Sequence, residues 1–174
     1  MKLVILDRDG TINALGAEGY VAAPDDWTPL PGALDAIARL NHAGWHVVLA
    51  TNQPGLGRGL FDMATLIAIH ARMHRQLAAA GGRIDAVFFC PHTTEDGCHC
   101  REPAPGLLEQ ICERYNVDAD AVLVAGSCPE HLQAGAALGA QLHWLGPAPA
   151  EPAWTASAQV HADLAAFADH VLRA

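Results

Sequence analysis

The chain reads as an α/β protein with a doubly wound parallel sheet, and three observations predict this. Short apolar runs recur along it, at residues 3–6, 45–50, 84–89, 121–125 and 141–145. Stretches with helical spacing of apolar residues separate these runs, the alternation that builds a parallel sheet covered on both faces. The first two runs also open directly into polar residues capable of chemistry, Asp7 and Asp9 after the first and Thr51 and Asn52 after the second. In an open parallel sheet, ligands bind at the carboxyl ends of strands, where these residues would lie.

Taken in order, Leu3-Val4-Ile5-Leu6 is a short buried strand, being apolar without alternation. Residues 13–31 are rich in Gly, Pro and Asp and read as a loop, long enough beside an active-site strand to be functional. Pro31-Gly32 opens a helix with Leu34, Ile37, Ala38 and Leu40 on one face and Gly44 as its stop. The second strand, 45–50, leads to a glycine-dense loop, 53–59, carrying the guanidinium of Arg58. A long helix over 63–80 ends at Gly81-Gly82. Its His70 and His74 sit four apart with no third ligand nearby, so they are expected on the helix surface. After the third strand at 84–89 come a cysteine-rich loop and a helix at 105–115, with Cys112 on its buried face. The fourth strand, 121–125, runs into Gly126-Ser127-Cys128-Pro129, and a helix at 131–138 stops at Gly139-Ala140. The last predicted strand is 141–145. A Pro- and Ala-rich loop at 146–152 and an amphipathic helix at 161–172 close the chain. One domain over residues 1–174 is expected, with no room for a second.

Composition narrows the function. Of the 174 residues 51% are hydrophobic and 17% charged, which indicates a folded chain with a sizeable core rather than a disordered one. A formal net charge of -9 argues against a nucleic-acid binder, which needs a basic surface. No apolar run approaches the roughly 18 residues of a membrane span. With a strand at the amino terminus in place of a signal peptide, a cytoplasmic location is expected. In that reducing compartment, the five cysteines point to metal ligands or buried thiols rather than disulfides.

Two carboxylates one residue apart at a strand end can share a hard cation such as Mg2+. One can also attack phosphorus while the other handles protons. Farther along, Cys90, His92, Cys98 and Cys100 supply three thiolates and one imidazole within eleven residues. Such a Cys3His set suits a closed tetrahedral zinc site. The polar loop between its halves has no apolar core of its own, so a metal would hold it. His99 is then a spare donor facing solvent.

The motifs Asp7-x-Asp9-Gly10-Thr11, Thr51-Asn52-Gln53-x-Gly55-x-x-Arg58-Gly59 and Cys90-Pro91-His92 followed by Cys98-x-Cys100-Arg101 resemble the haloacid-dehalogenase (HAD) superfamily. Within it they look like the branch of heptose bisphosphate phosphatases and related histidinol-phosphate phosphatases. The resemblance runs from Lys2 to about Leu145, and residues 19–21 and Arg58-Gly59 fit the heptose enzymes better. It implies a HAD-like fold without a large cap, and a zinc loop at 90–100 that shapes the substrate pocket. It also implies removal of the 7-phosphate of a heptose 1,7-bisphosphate through an aspartyl-phosphate. Asp7 would be the nucleophile and Asp9 the acid/base, while Thr51 and Asn52 would contact the phosphoryl group. Arg58 and Arg101 would contact substrate phosphate or hydroxyls. The implied partner is a small phosphorylated sugar, and a monomer is expected.

Two positions depart from that pattern. Where the family has Arg-Lys-Pro, this chain has Arg101-Glu102-Pro103, placing an anion where a cation belongs. Where the family has Gly-Asp-x-x-x-Asp, it has Gly126-Ser127 and then His131, so the Mg2+ set of Asp7, Asp9 and Ser127 is incomplete. Three readings stay open. The site could be rebuilt, with Glu102 as the missing Mg2+ or substrate contact and Arg101 as the missing cation. It could belong to a pseudo-phosphatase that binds a sugar phosphate or a protein without turnover. Or it could serve a different substrate or metal, with His131 or Cys128 as a softer ligand.

Overall fold

The apolar run that opens the chain is β1 (Leu3–Leu6), with all four residues buried. In this computed structural model, which describes residues 1–149 and 153–174, β1 lies inside a six-stranded parallel sheet. The other strands are β2 (His46–Asn52), β3 (Ala86–Cys90), β4 (Leu123–Gly126), β5 (Gln141–Leu145) and β6 (Gln159–His161), in spatial order β3-β2-β1-β4-β5-β6. Successive side chains of a strand point to opposite faces. Accordingly Val4, Leu6, Val47 and Leu49 enter one core, and Leu3, Ile5, Val48 and Ala50 the other.

Helices cover both faces. The first core is closed by α1 (Ala33–His42), by α3 (Met63–Ala79), which follows the one-turn α2 (Pro54–Gly57), and by α6 (Leu164–Arg173). The second is closed by α4 (Gly106–Tyr115) and α5 (Pro129–Leu138). On α1 the buried positions Ala33, Ala36, Ile37 and Leu40 repeat at helical spacing. The start of α3 is fixed by the Asp62 carboxylate, which accepts from the Thr65 N–H at 2.8 Å.

The structure departs from the sequence expectations at three places. The expected helix start at residue 161 is instead a strand: β6 pairs with β5, Leu145 opposite His161, and α6 begins only after the Asp163 carboxylate caps the Ala166 N–H at 2.8 Å. The glycine-dense loop contains the turn α2, with Pro54 at its first position, where a missing N–H costs nothing. His70 is not on the surface, because it falls on the same stripe of α3 as Leu66, Ile69, Met73 and Leu77. Of the expected loop at 146–152, residues 150–152 lie outside the described residues. No helix among the described residues is long and apolar enough to cross a membrane.

Candidate active site

The chain turns from one half of the sheet to the other between β1 and β4, the switch point where such sheets hold ligands. Asp7 directly follows β1 and Ser127 directly follows β4, while Thr51 and Asn52 end the neighbouring β2. The sheet therefore brings three sequence motifs to one edge.

Asp7 is 5% exposed, and neither of its carboxylate oxygens has a hydrogen-bond partner among the described residues. Burial pushes its carboxyl up to about 6, partly offset by the positive charge of His131. A buried carboxylate with two free oxygens has its lone pairs available for a cation or a phosphorus atom. The backbone of β4 must come close for this, since a Cβ on Gly126 would lie 2.6 Å from Asp7 Oδ1.

Asp9 is held by a cage. The fully buried Arg8 donates from Nε and Nη2 to its Oδ1, at 3.0 and 2.8 Å. Asn13 donates to the same oxygen at 3.0 Å, and Gln53 donates to Oδ2 at 3.1 Å. Behind this, Arg8 Nη1 donates to His70 Nε2 at 3.1 Å. Burial, followed by the adjacent guanidinium, pulls the His70 imidazole down to about 4, so it is a neutral acceptor near neutral pH. Sequence reasoning missed this cage, although His70 sits in the apolar register of its helix and Gln53 beside Thr51.

Gln53 also donates to Thr51 Oγ1 at 3.0 Å. The Asn52 amide is committed elsewhere: it donates to the Glu102 carbonyl and accepts from the Glu102 N–H, both at 2.9 Å. Arg58 is exposed and lines a cleft of about 220 Å3 together with Asp9, Glu18, Tyr20, Asn52 and Gln53. Arg101 donates to the His92 carbonyl at 3.3 Å, on the side of the cysteine-rich loop. A larger hollow of about 930 Å3 lies between the start of α3 and that loop, but neither carboxylate lines it.

The two departures from the family pattern are brought together. Glu102 is 3% exposed, so it is not placed in the cleft as an open ligand; its Oε2 lies 2.8 Å from Nδ1 of the fully buried His131. Burial alone would lower the His131 imidazole, but the Glu102 carboxylate outweighs it and raises the group to about 9. His131 Nε2 faces the Ile5 carbonyl at 3.4 Å, so both ring nitrogens are engaged and neither is open as a metal ligand. Ser127 is likewise occupied. Its hydroxyl donates to the Gly10 carbonyl at 2.8 Å and its N–H to Thr11 Oγ1 at 3.0 Å. Cys128 Sγ lies 2.9 Å from Glu130 Oε2, and burial pushes its thiol up to about 12, which removes it as a ready soft ligand.

At the end of β3, Cys90, His92, Cys98 and Cys100 converge, with one ligand atom from each within 4.8 Å of the others. The Cys98 Sγ lies 3.6 Å from that of Cys90 and 3.7 Å from that of Cys100, near the ~3.8 Å edge implied by tetrahedral Zn–S bonds, whereas the Cys90 and Cys100 sulfurs are 2.8 Å apart and would separate around an ion. The chemistry of this donor set fits zinc.

Residues 7–139 match the haloacid dehalogenase-like hydrolase family. The chain is 56% identical over 139 residues to the D-glycero-beta-D-manno-heptose-1,7-bisphosphate 7-phosphatase of Bordetella bronchiseptica, covering 80% of this chain and 77% of that one. It is 46% identical over 140 residues to the protein of the same name from Pseudomonas aeruginosa, covering 80% and 78%. Its fold is similar to the crystal structure of the D,D-heptose 1,7-bisphosphate phosphatase of B. bronchiseptica complexed with magnesium and phosphate. The TM-score is 0.91 at 47% identity, over 99% of each chain. The corresponding enzyme of Burkholderia thailandensis gives a TM-score of 0.76 at 47% identity over the whole of both chains.

Proposed function

We propose that this chain, which belongs to the haloacid dehalogenase-like hydrolase family, removes the 7-phosphate of D-glycero-β-D-manno-heptose 1,7-bisphosphate. The single observation that carries this reading is Asp7, a buried carboxylate with both oxygens unpartnered, one residue from a second carboxylate held rigidly in place. The reading is supported by relatives of that name, which this chain matches over about four-fifths of its length.

In this reading an Asp7 oxygen attacks the phosphorus of the 7-phosphate. The bond from phosphorus to the sugar oxygen breaks as the aspartyl-phosphate forms, and Asp9 gives its proton to the leaving oxygen. Asp9 then takes a proton from water, whose oxygen attacks phosphorus and frees Asp7 and inorganic phosphate. Arg8 and Asn13 fix Oδ1 of Asp9, which leaves Oδ2, held by Gln53 alone, as the oxygen that would carry the moving proton. Thr51, fixed by Gln53, offers its hydroxyl to the phosphoryl oxygens. Arg58, on the cleft wall, suits the second phosphate or the sugar hydroxyls, because a guanidinium fork fits phosphate geometry.

Asp7 and Asp9 are the residues that would hold Mg2+, and the two orphaned oxygens of Asp7 fit a hard cation. When bound, the ion would neutralise charge on the phosphoryl group. With Ser127 in place of a carboxylate, we expect that site to be weaker than a full three-carboxylate set. Cys90, His92, Cys98 and Cys100 would hold zinc in a structural role, pinning the loop that carries Arg101 and Glu102. The whole chain would act as one domain.

The test is phosphate release from heptose 1,7-bisphosphate at saturating Mg2+, with Asp7→Asn as the control. Turnover by the unaltered chain, abolished in Asp7→Asn, is expected. No release of phosphate from this or other sugar phosphates would overturn the reading in favour of a binding protein.

A further inference from the structure

Four observations converge on the contact between Glu102 and His131, and the inference drawn from them rests on the phosphatase reading above. The first is burial. Glu102 is almost sealed and His131 fully so, and a charge in such a place is tolerated only when paired. The second is the geometry of the imidazole. Nδ1 faces the Glu102 carboxylate at 2.8 Å, and Nε2 faces the Ile5 carbonyl at 3.4 Å. Both partners are acceptors, and only the imidazolium has a proton for each.

The third observation is placement. Ile5 is two residues before Asp7 on β1, and His131 is in the first turns of α5, which follows β4. The cation therefore stands against the strand that carries the nucleophile. Glu102 is fixed from the other side, because its N–H and C=O are both gripped by the Asn52 side chain, next to Thr51. The fourth is the sequence. The two departures, an expected lysine replaced by Glu102 and an expected aspartate replaced by His131, fall on residues that touch. Together they exchange the ends of one ion pair and leave its net charge unchanged.

We propose that Glu102 and His131 form an ion pair of reversed polarity in which the His131 imidazolium is the cation that offsets the negative charge gathered at Asp7, Asp9 and the phosphoryl group. His131 is a positioning residue in this scheme, since it reaches the reacting atoms only through β1 and through the field it sets up. Glu102 holds it in place and keeps it protonated. Arg101, turned to the His92 carbonyl, is not needed for this task. Reversing the polarity moves the cation from the loop after the zinc site to a helix, where packing fixes it.

The experiment compares His131→Gln, Glu102→Gln and the double exchange Glu102→Lys/His131→Asp with the unaltered chain. For each, kcat, KM, zinc content and the affinity for inorganic phosphate in the presence of Mg2+ are measured. For His131→Gln with zinc retained, kcat should fall about 100-fold, the scale of losing one preorganised electrostatic contact, with KM changed far less. Phosphate affinity should fall in parallel. The double exchange should recover most of the loss seen in either single variant. Full kcat in His131→Gln, or a double exchange no better than the singles, would overturn the proposal.

Phosphate affinity is read whether or not the chain turns over substrate. Failure of the heptose reading is thereby separated from failure of this one. Should a variant not fold, the imidazole 15N signals of His131 in the unaltered chain decide the matter. An imidazolium with both nitrogens protonated near pH 8 is expected, and a neutral ring there would overturn the proposal.

Discussion

Replacing Asp7, the proposed nucleophile, should make the magnesium-free protein more stable. Asp7 is buried with no hydrogen-bond partner for either oxygen among the described residues, and its carboxyl is pushed from 3.8 to about 6. A raised carboxyl favours the unfolded chain, which gives up its proton more readily. The penalty is absent below the unfolded value of 3.8, grows as pH rises through the window to about 6, and is complete above it. A shift of about two pKa units corresponds to about 3 kcal/mol at full development. Asp7→Asn, neutral at all these pH values, escapes that cost. Its advantage should be about 1.6 kcal/mol near pH 5 and about 3 kcal/mol near pH 8. For a chain of this size the larger figure is a rise in Tm of roughly 6 to 12 °C. The assay is thermal unfolding with magnesium omitted and no chelator added, since a chelator would also strip any metal held by the cysteine loop. Saturating Mg2+ should then narrow the gap, because only the carboxylate gains from the cation. An Asp7→Asn variant no more stable than the unaltered chain near pH 8, or an advantage that shrinks as pH rises, would refute the reasoning.

Three further outcomes follow from the same geometry. In Gly126→Ala the new methyl meets Asp7 Oδ1 at 2.6 Å, so the carboxylate must move. Activity should fall about 100-fold or more, the scale of a misplacement near 1 Å, for a stability loss of about 1–3 kcal/mol, checked by kinetics beside thermal melting. Cys98→Ser removes one thiolate from the four-residue cluster and should lower bound zinc below one per chain, expose residues 90–100 to proteolysis and reduce turnover, as read by metal analysis and limited digestion. Arg58→Ala should raise KM about 10-fold or more with a smaller effect on kcat, because an exposed guanidinium on the cleft wall supplies a charge-assisted contact worth about 1.5–3 kcal/mol to the bound substrate rather than to the reacting bonds.

The strands that carry the chemistry were legible because they are fully buried. Apolar runs such as Leu3–Leu6 leave no ambiguity of face, and the residues that follow them fall at the sheet edge by topology alone. β6 was not legible for the opposite reason. Gln159 and Val160 are exposed and only His161 is buried, so three residues at the sheet edge carry no pattern of their own. The cage around Asp9 lay between these extremes. On α3 the buried set Leu66, Ile69, His70, Met73 and Leu77 is one helical stripe, so the spacing that marks the leucines as core marks His70 as well. The expected surface position rested on the lack of a third metal ligand near His70 and His74; what buries His70 instead is Arg8, a buried guanidinium that needs an acceptor for the nitrogen Asp9 does not take.

Residues 102 and 131 illustrate a different limit. Each departure, taken singly, looks like damage: a carboxylate where a cation belongs, and an imidazole where a carboxylate belongs. Their meaning depends on a distance of 2.8 Å between residues 29 apart in the chain. That distance exists only because β4 pairs with β1 and α5 packs back against them. Charge at a buried site is conserved by the pair, not by the position. A single reversal there would set two like charges together at a cost of several kcal/mol, whereas the exchange of both leaves the field sensed by Asp7 with one nearby cation and one nearby anion, as before. The incomplete cation set at Ser127 has no such partner change among the described residues. We therefore expect weakened magnesium binding, rather than a missing positive charge, from the altered motifs, and the Mg2+ concentration needed for half-maximal turnover should fall on introducing Ser127→Asp while His131 and Glu102 are left untouched.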